Sequence, residues 1–287
     1  MFSYNRRALT VKRLRYRLEA DLTRHVKRAR RAFASPPAER VALFIFGCQR
    51  SGTTMLSDLF ALDPESDVYP EQSSLGAADD PKRLRLGPLP EVAAALGRNA
   101  APLVVVKPLV ESQRAAEILA VDPRWRAVWL YRDVRDVVLS NSQMFGKDNG
   151  YDDLAPIVEG YRDWRADGLP DDLVDQIRTL HAAGLARHDA AALFWVARNR
   201  HFFTQGLDRE PRVRLCRYEA LVADPLGEMR RLYDMLGRPM PEQIANNKVF
   251  SSSVGRGGEL TLSEPVRALC AETLERLDAA ARADAGC

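Results

Sequence analysis

A three-layer α/β fold, in which a central parallel sheet is flanked by helices, is what this sequence predicts. Three observations carry that prediction. Short apolar runs recur at residues 41–46, 103–106, 127–131 and 213–216, each with the composition of a buried strand. Helical stretches separate them, and strands alternating with helices argue for a parallel sheet. A chain of 287 residues with 46% hydrophobic content can also bury a substantial core as one enzyme-sized domain. In chain order, strand 41–46 ends at Gly47, and strand 103–106 runs into Lys107. A helix over 111–120 is closed by Asp122-Pro123, and strand 127–131 then ends at Tyr131. Residues 189–205 read as a long helix, and strand 213–216 precedes a helix over 225–236 that Gly237 closes. Residues 263–287 read as a C-terminal helix, which leaves 39–262 as the principal domain.

The most informative segment is VALFIFGCQRSGTTML, residues 41–56. Gly47 is followed by four residues and then Gly52-Thr53-Thr54, the spacing of a phosphate-binding loop with Thr53 where its Lys would stand. A strand–loop–helix cradle still favours an anion, through successive backbone N–H groups and the helix N-terminus. Arg50 is the one cation within the loop. An anion is therefore expected here, but not the triphosphate of ATP. An ordinary strand-to-helix turn capped by Thr has the same local pattern.

A second segment, RAVWLYRDVRDVVLS at residues 126–140, places Arg132 after a strand and Ser140 eight residues later, a little over two helical turns. Arg132 and Ser140 converge only if the chain bends between them or a ligand spans the gap; pairing of Arg132 with Asp133 or Asp136 is the alternative. A third, VRLCRYEALVADPLGEMRRLYDMLG, gives a strand, an Arg-Tyr-Glu turn and a helix. Together and in this order, the three resemble the sulfotransferases that use 3′-phosphoadenosine 5′-phosphosulfate (PAPS). The resemblance spans roughly Val41 to Gly258 and implies a P-loop-NTPase-like fold. It puts Arg50, Ser51, Gly52, Thr53 and Thr54 on the 5′-phosphosulfate, Arg132 and Ser140 on the 3′-phosphate, and Tyr218 near the adenine. Arg256, in the small-residue loop SSSVGRGG, matches an Arg that closes over the 3′-phosphate in that family. Release of the desulfated nucleotide, PAP, follows from the same resemblance, and no metal is implied.

Sulfuryl transfer to a hydroxyl is an in-line displacement, helped mainly by positioning and by cations around the transferring group. Arg50 is the first such cation, and Lys107, at the C-terminal edge of a buried strand, is the second. A Lys marking the strand's exit into water would look the same. The general base used by many small-molecule members, a His two residues beyond that Lys, is absent, because Leu109 stands there. Another branch of the family uses a Glu shortly after the first helix. Glu71, 21 residues beyond Arg50, is its counterpart and the expected base. A solvated loop Glu after Pro70 is the bland alternative.

Residues 1–38 form a basic arm outside this domain. Its first 33 residues hold eleven Lys and Arg against Glu19 and Asp21, a net of +9 that leaves −6 for the rest of a chain of +3. Val11, Leu14, Leu18, Leu22, Val26, Ala29 and Phe33 recur at steps of three and four, one apolar helix face. Such a helix over residues 5–33 can lie on an anionic membrane surface, or pack on its own domain or on a second subunit as a homodimer. No stretch of transmembrane length and no signal-peptide core occurs, so a cytoplasmic enzyme, peripheral to the membrane at most, is expected. Four cysteines without metal-ligand spacing read as reduced thiols. Residues 151–189 read as a helical insertion. Its Tyr151, Tyr161 and Trp164 could line an acceptor pocket or turn to the core. The expected function is sulfation of a hydroxyl on a glycan, glycolipid or other small metabolite, with no nucleic-acid partner. An ATP-dependent kinase with a degenerate loop, or a non-catalytic protein binding through the basic arm, are the alternatives.

Overall fold

The structure is a computed structural model that describes Lys27 and residues 40–245, 254–255 and 260–285. The expected amphipathic arm and Arg256 lie outside the described residues, except for Lys27. The Lys27 ammonium donates to the carbonyls of Ala61 and Asp63, 2.5 Å from each.

Five strands form one parallel sheet in the order β2-β3-β1-β4-β5: β1 (Val41–Gly47), β2 (Ser66–Tyr69), β3 (Leu103–Val106), β4 (Trp125–Tyr131) and β5 (Val213–Arg217). Eleven helices are seen among the described residues. α1 (Thr53–Ala61), α2 (Leu89–Arg98), α3 (Ala115–Leu119), α4 (Val134–Phe145), α5 (Asn149–Glu159) and α6 (Asp171–Ala182) come first. α7 (Arg187–Thr204), α8 (Tyr218–Ala223), α9 (Pro225–Met235), α10 (Glu242–Ala245) and α11 (Glu264–Ala285) complete the set.

Both sheet faces are covered, as all-parallel sheets require. Leu43, Ile45, Val105, Val128 and Leu130 pack with Leu56 and Phe60 of α1 and Met229 and Leu232 of α9. Phe44, Phe46, Val104, Trp129 and Tyr131 face the other way, onto Phe194, Trp195 and Phe202 of α7. This explains why the strands read as unbroken apolar runs. The chain leaves β1 toward β2 on one side and reaches β4 on the other. Ligand crevices of open α/β sheets form at the carboxyl ends of strands around such a reversal.

The expected strands all form, and β2 adds a fifth. Its sequence SDVY has too few apolar residues to announce a strand; pairing with β3 makes it one. The helix expected over 111–120 is instead a 3₁₀ turn, Leu109–Arg114, followed by the short α3. Two side chains hold that turn away from α geometry. Glu111 is fully buried and accepts from Arg85 Nε (2.7 Å) and from the Leu86 amide (2.8 Å). Ser112 Oγ accepts from the Gly47 amide at 3.1 Å. In the insertion, Tyr151 donates to the Leu185 carbonyl (2.8 Å) and the Trp164 ring meets Phe194 edge-on, whereas Tyr161 is exposed.

Buried polar groups sit behind the 3₁₀ turn. Arg198 of α7 is fully buried, donates to the Leu109 carbonyl (3.1 Å) and Gln113 Oε1 (3.3 Å), and lies over the Trp164 ring. Beside it, desolvation and then the Arg198 charge depress the His201 imidazole to about 3. A depressed imidazole contributes stability above its unfolded value near 6.5, and that stability is lost as the pH falls toward 3. Between pH 7 and pH 5 the unfolded chain gains about 2 kcal/mol from this one group. Thermal melts should therefore show a shallower acid decline for His201→Phe than for the natural chain; equal declines would remove His201 from that role.

Candidate active site

β1 ends in a loop whose backbone is set by two glycines and one strained residue. Gly47 has φ 135° and Gly52 has φ 95°, while Arg50 at φ 68° is a non-glycine residue in the left-handed region. A β-carbon on Gly52 would come within 2.3 Å of the Tyr218 ring, so the aromatic face lies directly against the loop. Ser51 is fully buried, and its Oγ has no hydrogen-bond partner among the described residues. α1 begins at Thr53 with no side-chain cap, leaving the first-turn amides toward the loop.

One wall of the cleft is built by β3 and the segment after β2. The Lys107 amide continues the ladder by bonding the Tyr69 carbonyl at 3.0 Å. Its side chain is largely buried, with Nζ 3.2 Å from Thr54 Oγ1 and 3.5 Å from Glu71 Oε2. Glu71 keeps a quarter of its side-chain surface exposed, so a carboxylate open to an incoming hydroxyl stands beside an ammonium aimed at the loop.

The opposite wall comes from β4, α4 and α8. The Arg132 guanidinium sits 4.3 Å from the Tyr218 ring centroid, within cation–π range. It also pairs with buried Asp136 at 3.2 Å and bonds the Arg50 carbonyl at 3.4 Å. Ser140 does not meet Arg132; its Oγ accepts from Arg50 Nε at 3.0 Å. The Asp136 pairing weighed from sequence is therefore present, and it is Arg50 that joins the loop to Ser140. The resulting cleft, about 280 Å³, is lined by Arg50, Gly52, Thr53, Thr54, Glu71, Lys107, Arg132, Ser140 and Tyr218. A larger groove of about 490 Å³ lies between the start of α4 and α11, but it is mainly apolar and contains neither Lys107 nor Glu71. Convergence of cations and a carboxylate marks the smaller cleft as the candidate site.

Residues 41–254 match the sulfotransferase domain family. The chain belongs to the sulfotransferase family. It is thus an enzyme of sulfuryl transfer, with PAPS as donor and PAP as the released nucleotide. The structure resembles the sulfotransferase domain of the Synechococcus PCC 7002 olefin synthase at TM-score 0.53 and 16% identity, covering 84% of this chain and 98% of that one. It resembles the sulfotransferase domain from the curacin biosynthetic pathway at TM-score 0.53 and 15% identity, covering 85% and 99%. At such identities the likeness speaks for the fold. No curated protein matches the chain in sequence.

The sulfotransferase's cleft suits a doubly phosphorylated nucleotide on its own chemistry. The glycine-framed loop, the orphaned Ser51 hydroxyl and three cationic side chains are a donor set for anionic oxygens, and Tyr218 offers an aromatic face. Sequence reasoning passed over two residues here. Asp136 was considered only as a partner for Arg132, yet it also accepts from the Gly255 amide at 2.8 Å, which ties the C-terminal loop to this wall. Phe145, at the end of α4, lines the cleft while 56% exposed. Its place five residues beyond Ser140, nearly one and a half turns, was the only signal for it. No helix among the described residues is long and apolar enough to cross a membrane.

Proposed function

We propose that this sulfotransferase binds PAPS across the cleft and sulfates a hydroxyl on a glycan, glycolipid or other small metabolite, with Glu71 as general base. PAPS supplies the activated sulfuryl group. Residues 50–54 hold its 5′ side, Arg132 and Ser140 its 3′-phosphate, and Tyr218 its adenine. The family resemblance also assigns Arg256, outside the described residues, to the 3′ side. Glu71 takes the acceptor proton as the acceptor oxygen bonds to sulfur and the bond from sulfur to the phosphate oxygen breaks. Lys107 and Arg50 stabilise the charge that grows on the sulfuryl and leaving oxygens. Such fixed cations act in a partly dehydrated site where they are worth more than in water. The observation that supports this reading best is the Lys107 ammonium, 3.5 Å from the Glu71 carboxylate and 3.2 Å from Thr54 of the loop. That arrangement supports a base and a cation acting together at one reacting centre.

Calorimetric titration with adenosine 3′,5′-bisphosphate, and separately with ADP and ATP, tests it. Strong preference for the bisphosphate is expected; preference for ATP overturns the assignment. Arg132→Ala should then weaken bisphosphate binding at least tenfold, since a charged hydrogen bond contributes roughly 1.5–3 kcal/mol. ADP binding should change little, and equal losses for both nucleotides would take the 3′-phosphate away from Arg132.

A further inference from the structure

Arg132, assigned to the 3′-phosphate, and Tyr218, assigned to the adenine, are flanked by groups with no part in the proposed chemistry. Glu219 follows Tyr218, and its two oxygens go to different strands' ends. Oε1 accepts from the Asp133 amide, one residue past Arg132, at 3.1 Å, and Oε2 accepts from Arg217 Nε at 3.1 Å. Arg217 in turn donates through Nη1 to Asp278 Oδ2 of α11 at 2.8 Å. The other Asp278 oxygen accepts from the hydroxyl of Tyr131, the residue before Arg132, at 2.8 Å. A closed strap thus runs from Tyr131 through Asp278, Arg217 and Glu219 back to Asp133. It spans the ends of β4 and β5 and encloses the backbone of Arg132 on one side and of Tyr218 on the other.

We propose that Glu219 and Asp278 are positioning residues for discrimination of the 3′-phosphate. This rests on the nucleotide assignment above. The strap acts through the peptide on either side of Arg132, fixing where its guanidinium stands over the Tyr218 ring. Asp133 caps α4, the helix that carries Ser140. The Glu219 contact to the Asp133 amide therefore also sets where that helix starts, and a carboxylate there suits the positive end of its dipole. Residues 50–54 lie one step from the strap, joined to the groups it positions by the Arg132 bond to the Arg50 carbonyl (3.4 Å) and the Arg50 bond to Ser140 (3.0 Å), so recognition of the 5′ side should depend on it less than recognition of the 3′-phosphate. A generic packing role would weaken every ligand alike; a positioning role weakens the ligand that carries the 3′-phosphate.

The test measures the ratio of dissociation constants for adenosine 5′-phosphate and adenosine 3′,5′-bisphosphate in the full chain and its variants. Glu219→Ala should lower that ratio by about tenfold, the usual worth of one charged hydrogen bond, while affinity for adenosine 5′-phosphate changes less than about twofold. Glu219→Gln keeps an acceptor for the Asp133 amide but loses the charge facing Arg217, and it should recover part of the ratio. Asp278→Asn should lower the ratio as well, from a residue 61 positions beyond Arg217. Glu272→Ala serves as the control, because it cuts the Arg200 contact of the same helix (2.8 Å) outside the strap and should leave the ratio unchanged. A preserved ratio in the Glu219 and Asp278 variants, or an equal loss for both nucleotides, overturns the inference alone. Absence of any bisphosphate preference in the natural chain overturns the nucleotide assignment and this inference with it.

Discussion

Glu71→Gln is expected to lower sulfuryl transfer by about 10²- to 10⁴-fold, the range over which a positioned general base acts. Binding of adenosine 3′,5′-bisphosphate should be nearly unchanged. Gln matches the carboxylate in size and removes its capacity to accept a proton. Glu71 touches the site through Lys107, 3.5 Å away, on the wall opposite Arg132, Ser140 and Tyr218. Its loss should therefore separate chemistry from nucleotide binding. Rate and affinity measured on one preparation decide the matter. Retained turnover would mean that another group takes the proton, whereas lost affinity would mean that Glu71 mainly positions Lys107 against Thr54.

Gly47→Ala should be the most damaging small substitution at the mouth of the loop. A β-carbon there would stand 2.1 Å from the Leu130 carbonyl oxygen, a backbone atom of the central strand β4 that cannot rotate aside. The φ of 135° adds its own strain for any side chain. Either the last β1–β4 pair, Gly47 with Leu130, opens, or the loop leaves its place. A stability loss of roughly 3 kcal/mol or more is expected, with weaker nucleotide binding. Denaturant unfolding checks it, and a loss below about 1 kcal/mol would show that the pair yields more easily than its geometry implies.

Much of this was legible in the residues. β1, β3, β4 and β5 are apolar runs that suit a doubly covered sheet, and the spacing of Gly47 and Gly52 is that of a phosphate-binding loop. What stayed hidden depends on partners far along the chain. β2 becomes a strand because β3 is beside it, and the 109–114 turn forgoes α geometry because Arg85 and Gly47 bond its side chains. In the candidate site, the motifs named Arg50, Lys107, Arg132 and Ser140. That Ser140 would meet Arg50, with Arg132 turned to Asp136 and Tyr218, depends on where α4 begins relative to the loop. A one-dimensional spacing of eight residues does not contain that angle.

The closing helix also sets an order of events during biosynthesis. Tyr131 and Asp278 are joined across 147 residues, and Arg214 bonds Asp284 across 70. The sheet has all its strands once residue 217 has been translated, yet the edge beside β5 stays bare for about sixty residues more. At 5–20 residues per second that is an interval of roughly 3–12 s. A nascent chain in this interval can fold its loop and its Lys107 wall while the Arg132 side is still unfastened. On the nucleotide assignment proposed above, it would then acquire affinity for a 5′-phosphate before it can tell which adenosine nucleotide it holds.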